Sequence, residues 1–265
     1  MNRSKIEWCK FTSNPITGCR RLCRDETGRI YCYAYRMAKR HRGRDGYPQD
    51  DPFRPTLHFN MLAKPECVKK PATVFLVSMG DIFDKEVPDL WRYLVFNMPL
   101  YSPQHTFLIL TKQVERAAEY FEKHDIPENL WIGITQDGKT TNDSDIEYFR
   151  SLDNIPRKFV SFEPLLGEIC ANFYGLDWII VGAQTGQGAK PPLQNWVYDI
   201  INEANSWDIP VFLKNNLHWH EKIQEFPTER VSMHLRKTAC ESSTSRQEKK
   251  WLNDASISHP LQEGP

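Results

Sequence analysis

From residue 72 onward two patterns alternate, and this alternation constrains the fold more than any other feature of the chain. Short continuous apolar runs recur as ATVFLVS (72–78), HTFLILT (105–111), LWIGIT (130–135), RKFVSF (157–162), DWIIVG (177–182) and PVFLK (210–214). Among them lie VPDLWRYLVFNM, QVERAAEYFEKH, NDSDIEYFRSL and NWVYDIINEANSW, whose apolar residues repeat at helical spacing. Strands that are apolar on both faces and linked by helices belong in a parallel sheet covered on its outer side. A further strand is expected in WCKFTSNPIT (8–17), which brings the count to about seven βα units. That pattern predicts an α/β fold: a partial or near-complete TIM-type (βα) barrel with parallel strands, ahead of an open doubly wound sheet.

No Gly/Ser linker divides residues 1–225, which read as one domain. The stretch 44–71 is too long for a simple connection and is expected to be an insertion with a short helix of its own. Residues 226–265 read as a polar tail with one short helix near RQEKKWL. No apolar run approaches the ~20 residues of a membrane span, and the N-terminus lacks an apolar signal core. A cytoplasmic protein without a membrane partner is the expectation.

In parallel α/β folds the site lies at the C-terminal ends of the strands. Those ends carry Ser78, Gly80 and Asp81; Thr111 and Lys112; Thr135, Gln136 and Asp137; Glu163; Gln184 and Thr185; and Lys214, Asn215 and Asn216. Strand ends and caps are often polar for structural reasons alone. Six in succession supplying Lys, Glu and Asp nevertheless suggest a polar ligand pocket. Glu163 sits in the apolar stretch FVSFEPLLG, where an unpaired charge is costly, and reads as a ligand contact or as an ion-pair partner of Lys112 or Lys214. Glu163 and Lys112 are the candidate catalytic side chains. The glycines of VGAQTGQGAKPP match neither a phosphate loop nor the dinucleotide fingerprint, so nucleotide triphosphatase chemistry has no support.

Seven cysteines, an odd and uneven set, do not form a secreted disulfide framework. Cys9, Cys67, Cys170 and Cys240 are isolated, whereas Cys19, Cys23 and Cys32 cluster between the first strand and the helical stretch YAYRMAKRH. Three chemistries compete for this triplet. Structural zinc wants paired spacing and a fourth ligand, for which His41 or a distant cysteine is available. A nucleophile needs only one thiol. An iron–sulfur cluster on three thiolates leaves one iron open. Thr27–Gly28 offers a turn by which the eight residues RDETGRIY would fold out and return Cys32 to its partners.

Three cysteines in a first loop, with Tyr31 just before the last, on a βα barrel, resemble the radical S-adenosylmethionine superfamily, whose usual motif is C-x3-C-x-aromatic-C. Here the second gap is expanded to eight residues. The ordered segments IEWCKFTSNPITGC, CYAYRMAKR, VFLVSMGDIF, PQHTFLILTK, LWIGIT, FVSFEPLLG, LDWIIVGAQTGQGAKP and PVFLK resemble a phage-associated family, the three-Cys-motif proteins, over residues 5–216. The resemblance implies that Cys19, Cys23 and Cys32 ligate a [4Fe-4S] cluster whose open iron takes S-adenosyl-L-methionine. It implies that Ser78, Met79, Gly80 and Asp81 hold the methionine amino group. Thr111, Thr135, Glu163 and Gly182 would then contact ribose, carboxylate or adenine. An electron donor of ferredoxin or flavodoxin type would reduce the cluster, and the resulting radical would abstract hydrogen from substrate.

The substrate is expected to be nucleic acid or protein. Residues 1–70 hold 16 Lys+Arg against 7 Asp+Glu in a chain whose net charge is zero. The basic run Arg36, Lys39, Arg40, Arg42 and Arg44 suits a polyanion; a peptide target would use the insertion or the tail. Two alternatives stand beside this reading. One is a zinc-stabilised nucleic-acid-binding protein without catalysis, and the other a hydrolase with Glu163 and Asp81 as its acid/base pair.

Overall fold

A computed structural model describes residues 1–25, 27–186 and 188–227. The expected tail helix near residues 246–252 therefore lies outside the described residues. In chain order the elements are β1 (Asn2–Arg3), β2 (Phe11–Ser13), β3 (Ile16–Thr17), α1 (Tyr33–Arg40), β4 (Thr56–Leu57) and β5 (Thr73–Leu76). They continue with α2 (Asp89–Asn97), β6 (Thr106–Thr111), α3 (Val114–Phe121), β7 (Leu130–Thr135), α4 (Ser144–Ser151) and β8 (Lys158–Phe162). The series ends with β9 (Trp178–Val181), α5 (Gln194–Ser206) and β10 (Val211–Leu213). Every apolar run expected to form a strand does so. The insertion carries two 3-10 turns, Phe59–Met61 and Pro65–Cys67, in place of the expected helix, and β4 pairs antiparallel with β3.

Eight strands form one sheet in the order β1-β2-β5-β6-β7-β8-β9-β10. All neighbours from β2 to β10 are parallel, and β1 adds an antiparallel edge. The order never reverses, unlike that of a doubly wound sheet. Among the described residues no pairing joins β1 to β10, so hydrogen bonds do not close the sheet. No helix among them is long and apolar enough to cross a membrane.

Successive side chains on a strand point to opposite faces, and the core divides accordingly. Val74, Leu76, Phe107, Ile109, Ile132, Val160, Ile179 and Val211 pack with the helix residues Val95, Phe96, Ala117, Phe149 and Ile200. The alternate residues Phe75, Leu108, Trp131, Phe159, Trp178 and Phe212 gather with Trp8 in a separate aromatic-rich cluster. The Trp8 ring lies 4.7 Å from that of Phe75 and 6.2 Å from that of Trp178, so those two rings are at most about 11 Å apart. Four steps across a flat sheet would take ~19 Å at ~4.8 Å each. The sheet is therefore curved, with the aromatic cluster in its concavity. Gly133 permits this packing, because a Cβ there would stand 2.5 Å from the Phe159 ring.

Candidate functional site

The same two-residue period that places the aromatic layer selects the next polar groups. Beyond Leu108 the same parity runs through Leu110 to Lys112, and on the next strands it leads from the aromatic layer to Thr135, Glu163, Gly182 and Lys214. These residues share the concave face at the strands' C-terminal ends. Glu163 forms an ion pair with Lys214, whose side chains are 23% and 17% exposed. Its second oxygen accepts from Ser161 Oγ at 3.3 Å and from Trp8 Nε1 at 3.4 Å. Gly182 makes room for the pair: a Cβ there would lie 2.7 Å from Glu163 Cγ and 3.0 Å from Lys214 Cδ. Of the two partners open to Glu163 in the sequence, the structure selects Lys214.

Asp81 is buried, and its carboxylate accepts from the Phe83 N–H (3.0 Å), Thr111 Oγ1 (2.8 Å) and the Lys112 N–H (3.0 Å). Burial raises its pKa against those three hydrogen bonds. Three of its roughly four lone-pair sites are thus already taken by protein donors, so Asp81 clamps the loop after β5 to the end of β6. Ser78 Oγ and the Met79 N–H both donate to Asn14 Oδ1, at 3.1 and 3.2 Å. Before them Val77 takes a left-handed φ of 56°, a conformation rare for a β-branched residue.

The cysteine loop is fastened to three successive strands. The Gly18 N–H donates to the Met79 carbonyl at 2.9 Å, and Gly18 bridges Gly80. Arg21 Nη1 donates to the Lys112 carbonyl at 2.8 Å, and Tyr31 OH to Asp137 Oδ2 at 3.2 Å. The eight-residue gap folds as a small hairpin. Arg24 pairs antiparallel with Ile30, the Gly28 N–H donates to the Asp25 carbonyl at 2.9 Å, and the Tyr31 N–H returns to the Cys23 carbonyl at 3.1 Å. Gly28 supplies the turn with a φ of +80°. The excursion therefore ends where it began and sets Cys32 beside Cys23.

The three thiols differ in environment. Cys32 caps the N-terminus of α1, where its Sγ accepts from the Tyr35 N–H at 3.4 Å, and Cys19 Sγ accepts from the Arg21 N–H at 3.2 Å. The neighbouring Cys32 thiol, opposed by burial and aided by Lys112 and Arg21, lowers the Cys23 pKa. The same pairing, then burial, raises that of Cys32. Burial, then Asp81, raises that of Cys19. Buried Asp137 has its pKa held below the usual carboxylate value: burial opposes this, but hydrogen bonds from Thr140 and the Lys139 N–H, with Lys112 nearby, outweigh it.

In the metal-free, reduced chain, iodoacetamide should therefore alkylate Cys23 first. Its rate should level off below the pH at which an ordinary thiol ionises, whereas Cys9, raised to about 11 chiefly by burial, stays inert until far higher pH. Peptide mapping of a pH series checks this, and a Cys23 rate still climbing above pH 8 contradicts it.

All three cysteines border one cavity of about 1190 Å³. Ser78, Met79, Gly80, Asp81, Thr111, Lys112, Thr135 and Glu163 border it too; Gly182 does not, but lies under the Glu163–Lys214 pair. Among the described residues, no group of three or more His, Cys, Asp or Glu could hold a single metal ion. Trp8, Asn14 and Ser161 were not singled out as site residues by the sequence, because their roles arise from contacts with distant strands. The position of Asn14 just past a strand end is the one signal that could have found it.

A family model described as "Protein of unknown function (DUF5131)" matches residues 3–254. The chain belongs to this family. No curated protein and no solved structure matches it.

Proposed function

We propose that this member of the family is a radical S-adenosylmethionine enzyme on a partial βα barrel, with Cys19, Cys23 and Cys32 as the ligands of a [4Fe-4S] cluster. The observation that carries the reading is the return of Cys32 to Cys23 by the hairpin, which brings three thiols to one cavity at the ends of parallel strands. The unreversed strand order and the curved, aromatic-filled face support the barrel.

The donor set fits such a group. Soft thiolates suit iron and sulfide, and a cluster spreads its ligands over separate irons, so it does not require them to converge on one ion. Lys112 Nζ is buried without a hydrogen-bond partner among the described residues and stands close enough to Cys23 to favour its thiolate. That ammonium offsets negative charge gathered at the sulfurs. The Tyr35 and Arg21 N–H groups aim at two of the thiols and tune them as hydrogen bonds to sulfur do.

When bound, the cluster supplies the electron that cleaves S-adenosylmethionine and so initiates hydrogen abstraction from a substrate. The chain's own part is to position and to exclude. The layer of Phe75, Trp131, Phe159, Trp178 and Phe212 lies beneath the polar strand ends and keeps water from the cavity's base. Glu163, fixed by Lys214, Ser161 and Trp8 but not buried as Asp81 is, keeps one lone-pair site of its carboxylate open to a ligand's hydroxyl or amino group. A ferredoxin- or flavodoxin-type protein serves as electron donor.

The test is a long anaerobic incubation of the reconstituted chain with S-adenosylmethionine and dithionite, read by mass spectrometry. Equal amounts of methionine and 5′-deoxyadenosine, absent without dithionite, are expected. Intact S-adenosylmethionine in the presence of a demonstrated cluster would contradict the reading.

A further inference from the structure

The cavity's volume of about 1190 Å³ exceeds the ~300–1,000 Å³ of an ordinary one-ligand pocket. It therefore has room for a second molecule, and its rim carries the chemistry that would select one. Tyr33 and Met37, one turn apart on α1, and His41, its C-cap one turn further on, border the cavity, and Tyr33 is 60% exposed. Helical spacing puts Arg36 and Arg40 on the side of α1 that carries Tyr33.

Residues 20–44 hold nine Lys+Arg against two Asp+Glu. Among the described residues Arg36, Lys39, Arg40, Arg42 and Arg44 form no ion pair. Their contacts are to neutral groups: Lys39 lies over the Tyr35 ring, Arg40 beside Met37 Sδ, and Arg42 and Arg44 donate to backbone carbonyls. Arg36 reaches across to Gly186, in the loop after β9. Arg3 and Lys5 are exposed and border the cavity from the chain's N-terminal end. Inside it, Gln184 Nε2 is a buried donor with no hydrogen-bond partner among the described residues.

We infer that the second occupant is one unit of a single-stranded nucleic acid. The strand runs along α1 with phosphates on Arg36, Lys39 and Arg40 and a base against Tyr33, and its neighbouring base enters the cavity, where Gln184 donates to it. A basic track with an exposed aromatic ring is how single strands are held without duplex geometry. An acidic peptide would meet the charge but have no use for the ring. For what happens to the strand the inference rests on the catalytic reading above; for binding it rests on this surface alone.

Fluorescence anisotropy with a labelled 20-nucleotide single strand, using the full chain over a salt series, tests it. Binding should fall with salt along a log–log line whose slope is about −0.7 per phosphate contacted. Lys39→Glu with Arg40→Glu should weaken binding at least about 10-fold and flatten the slope by about 1.4, the share of two phosphate contacts. Lys39→Arg with Arg40→Lys, which keeps the charge, should restore it. Tyr33→Ala should cost at least about 5-fold with the slope unchanged. No binding by the folded chain at low salt, or equally tight binding of poly-glutamate, overturns the inference. Iron analysis of the same preparations separates the two readings: strand binding without iron sinks the cofactor alone, and iron without strand binding sinks this inference alone.

Discussion

Cys32→Ala should lower retained iron, and with it cleavage of S-adenosylmethionine, by at least about 100-fold, since losing even an outer-shell partner of a ligand costs ~10–100-fold. The expectation follows from the double duty of this thiol. It is the proposed cluster ligand delivered by the hairpin, and in the metal-free chain its thiol beside Cys23 also lowers the pKa of that residue. The structural cost should be small by comparison. As the cap of α1, Cys32 accepts one backbone N–H at 3.4 Å, and loss of a cap costs ~0.5–2 kcal/mol. Iron and sulfide content, measured beside a thermal melt, distinguishes lost ligation from lost folding. Cys67→Ala and Cys170→Ala serve as controls, because both thiols are exposed and neither borders the cavity. Iron retention that falls equally in all three variants would contradict the assignment.

Gly18→Ala should destabilise the chain by about 3 kcal/mol, combining ~1–2 kcal/mol for a left-handed backbone with ~1–3 kcal/mol for overpacking. Gly18 has a φ of +90°, and a Cβ there would overlap the Arg54 carbonyl and stand 2.6 Å from the Phe53 oxygen. The neighbours are backbone atoms and cannot swing aside. The same residue docks the cysteine loop on Met79 and Gly80, so iron retention should fall with stability. Gly28→Ala provides the comparison. Its φ of +80° is also left-handed, but nothing lies within 4 Å of the added Cβ, so only the ~1–2 kcal/mol backbone part remains. Urea unfolding measures both, and a Gly18→Ala variant as stable as Gly28→Ala would show that the loop does not dock as described.

The architecture was legible because its signals are local. The strands β5 to β10 announced themselves as short apolar runs and the helices between them as a 3.6-residue period, whereas the two-residue strands β1, β3 and β4 carried no such run; strand parity then places Lys112, Thr135, Glu163 and Lys214 on one face. Less legible were contacts between residues far apart in the chain. Trp8 and Glu163 are 155 positions apart, Tyr31 and Asp137 are 106 apart, and no periodicity links either pair. Asp81 shows the limit most clearly. Its place after β5 suggested a ligand contact, yet its carboxylate is largely taken up by Phe83, Thr111 and Lys112. The wide gap between Cys23 and Cys32 was the opposite case. Thr27–Gly28 marked a turn in the sequence, and the hairpin that closes the gap depends on that turn.

Metal and sulfide analysis of the full chain, purified without oxygen and then reconstituted with iron and sulfide, tests the central claim most directly. The account predicts a brown protein with iron and acid-labile sulfide in equal amounts, lost when Cys19, Cys23 or Cys32 is replaced by alanine. A colourless protein carrying one zinc per chain, with no iron or sulfide after reconstitution, would contradict it.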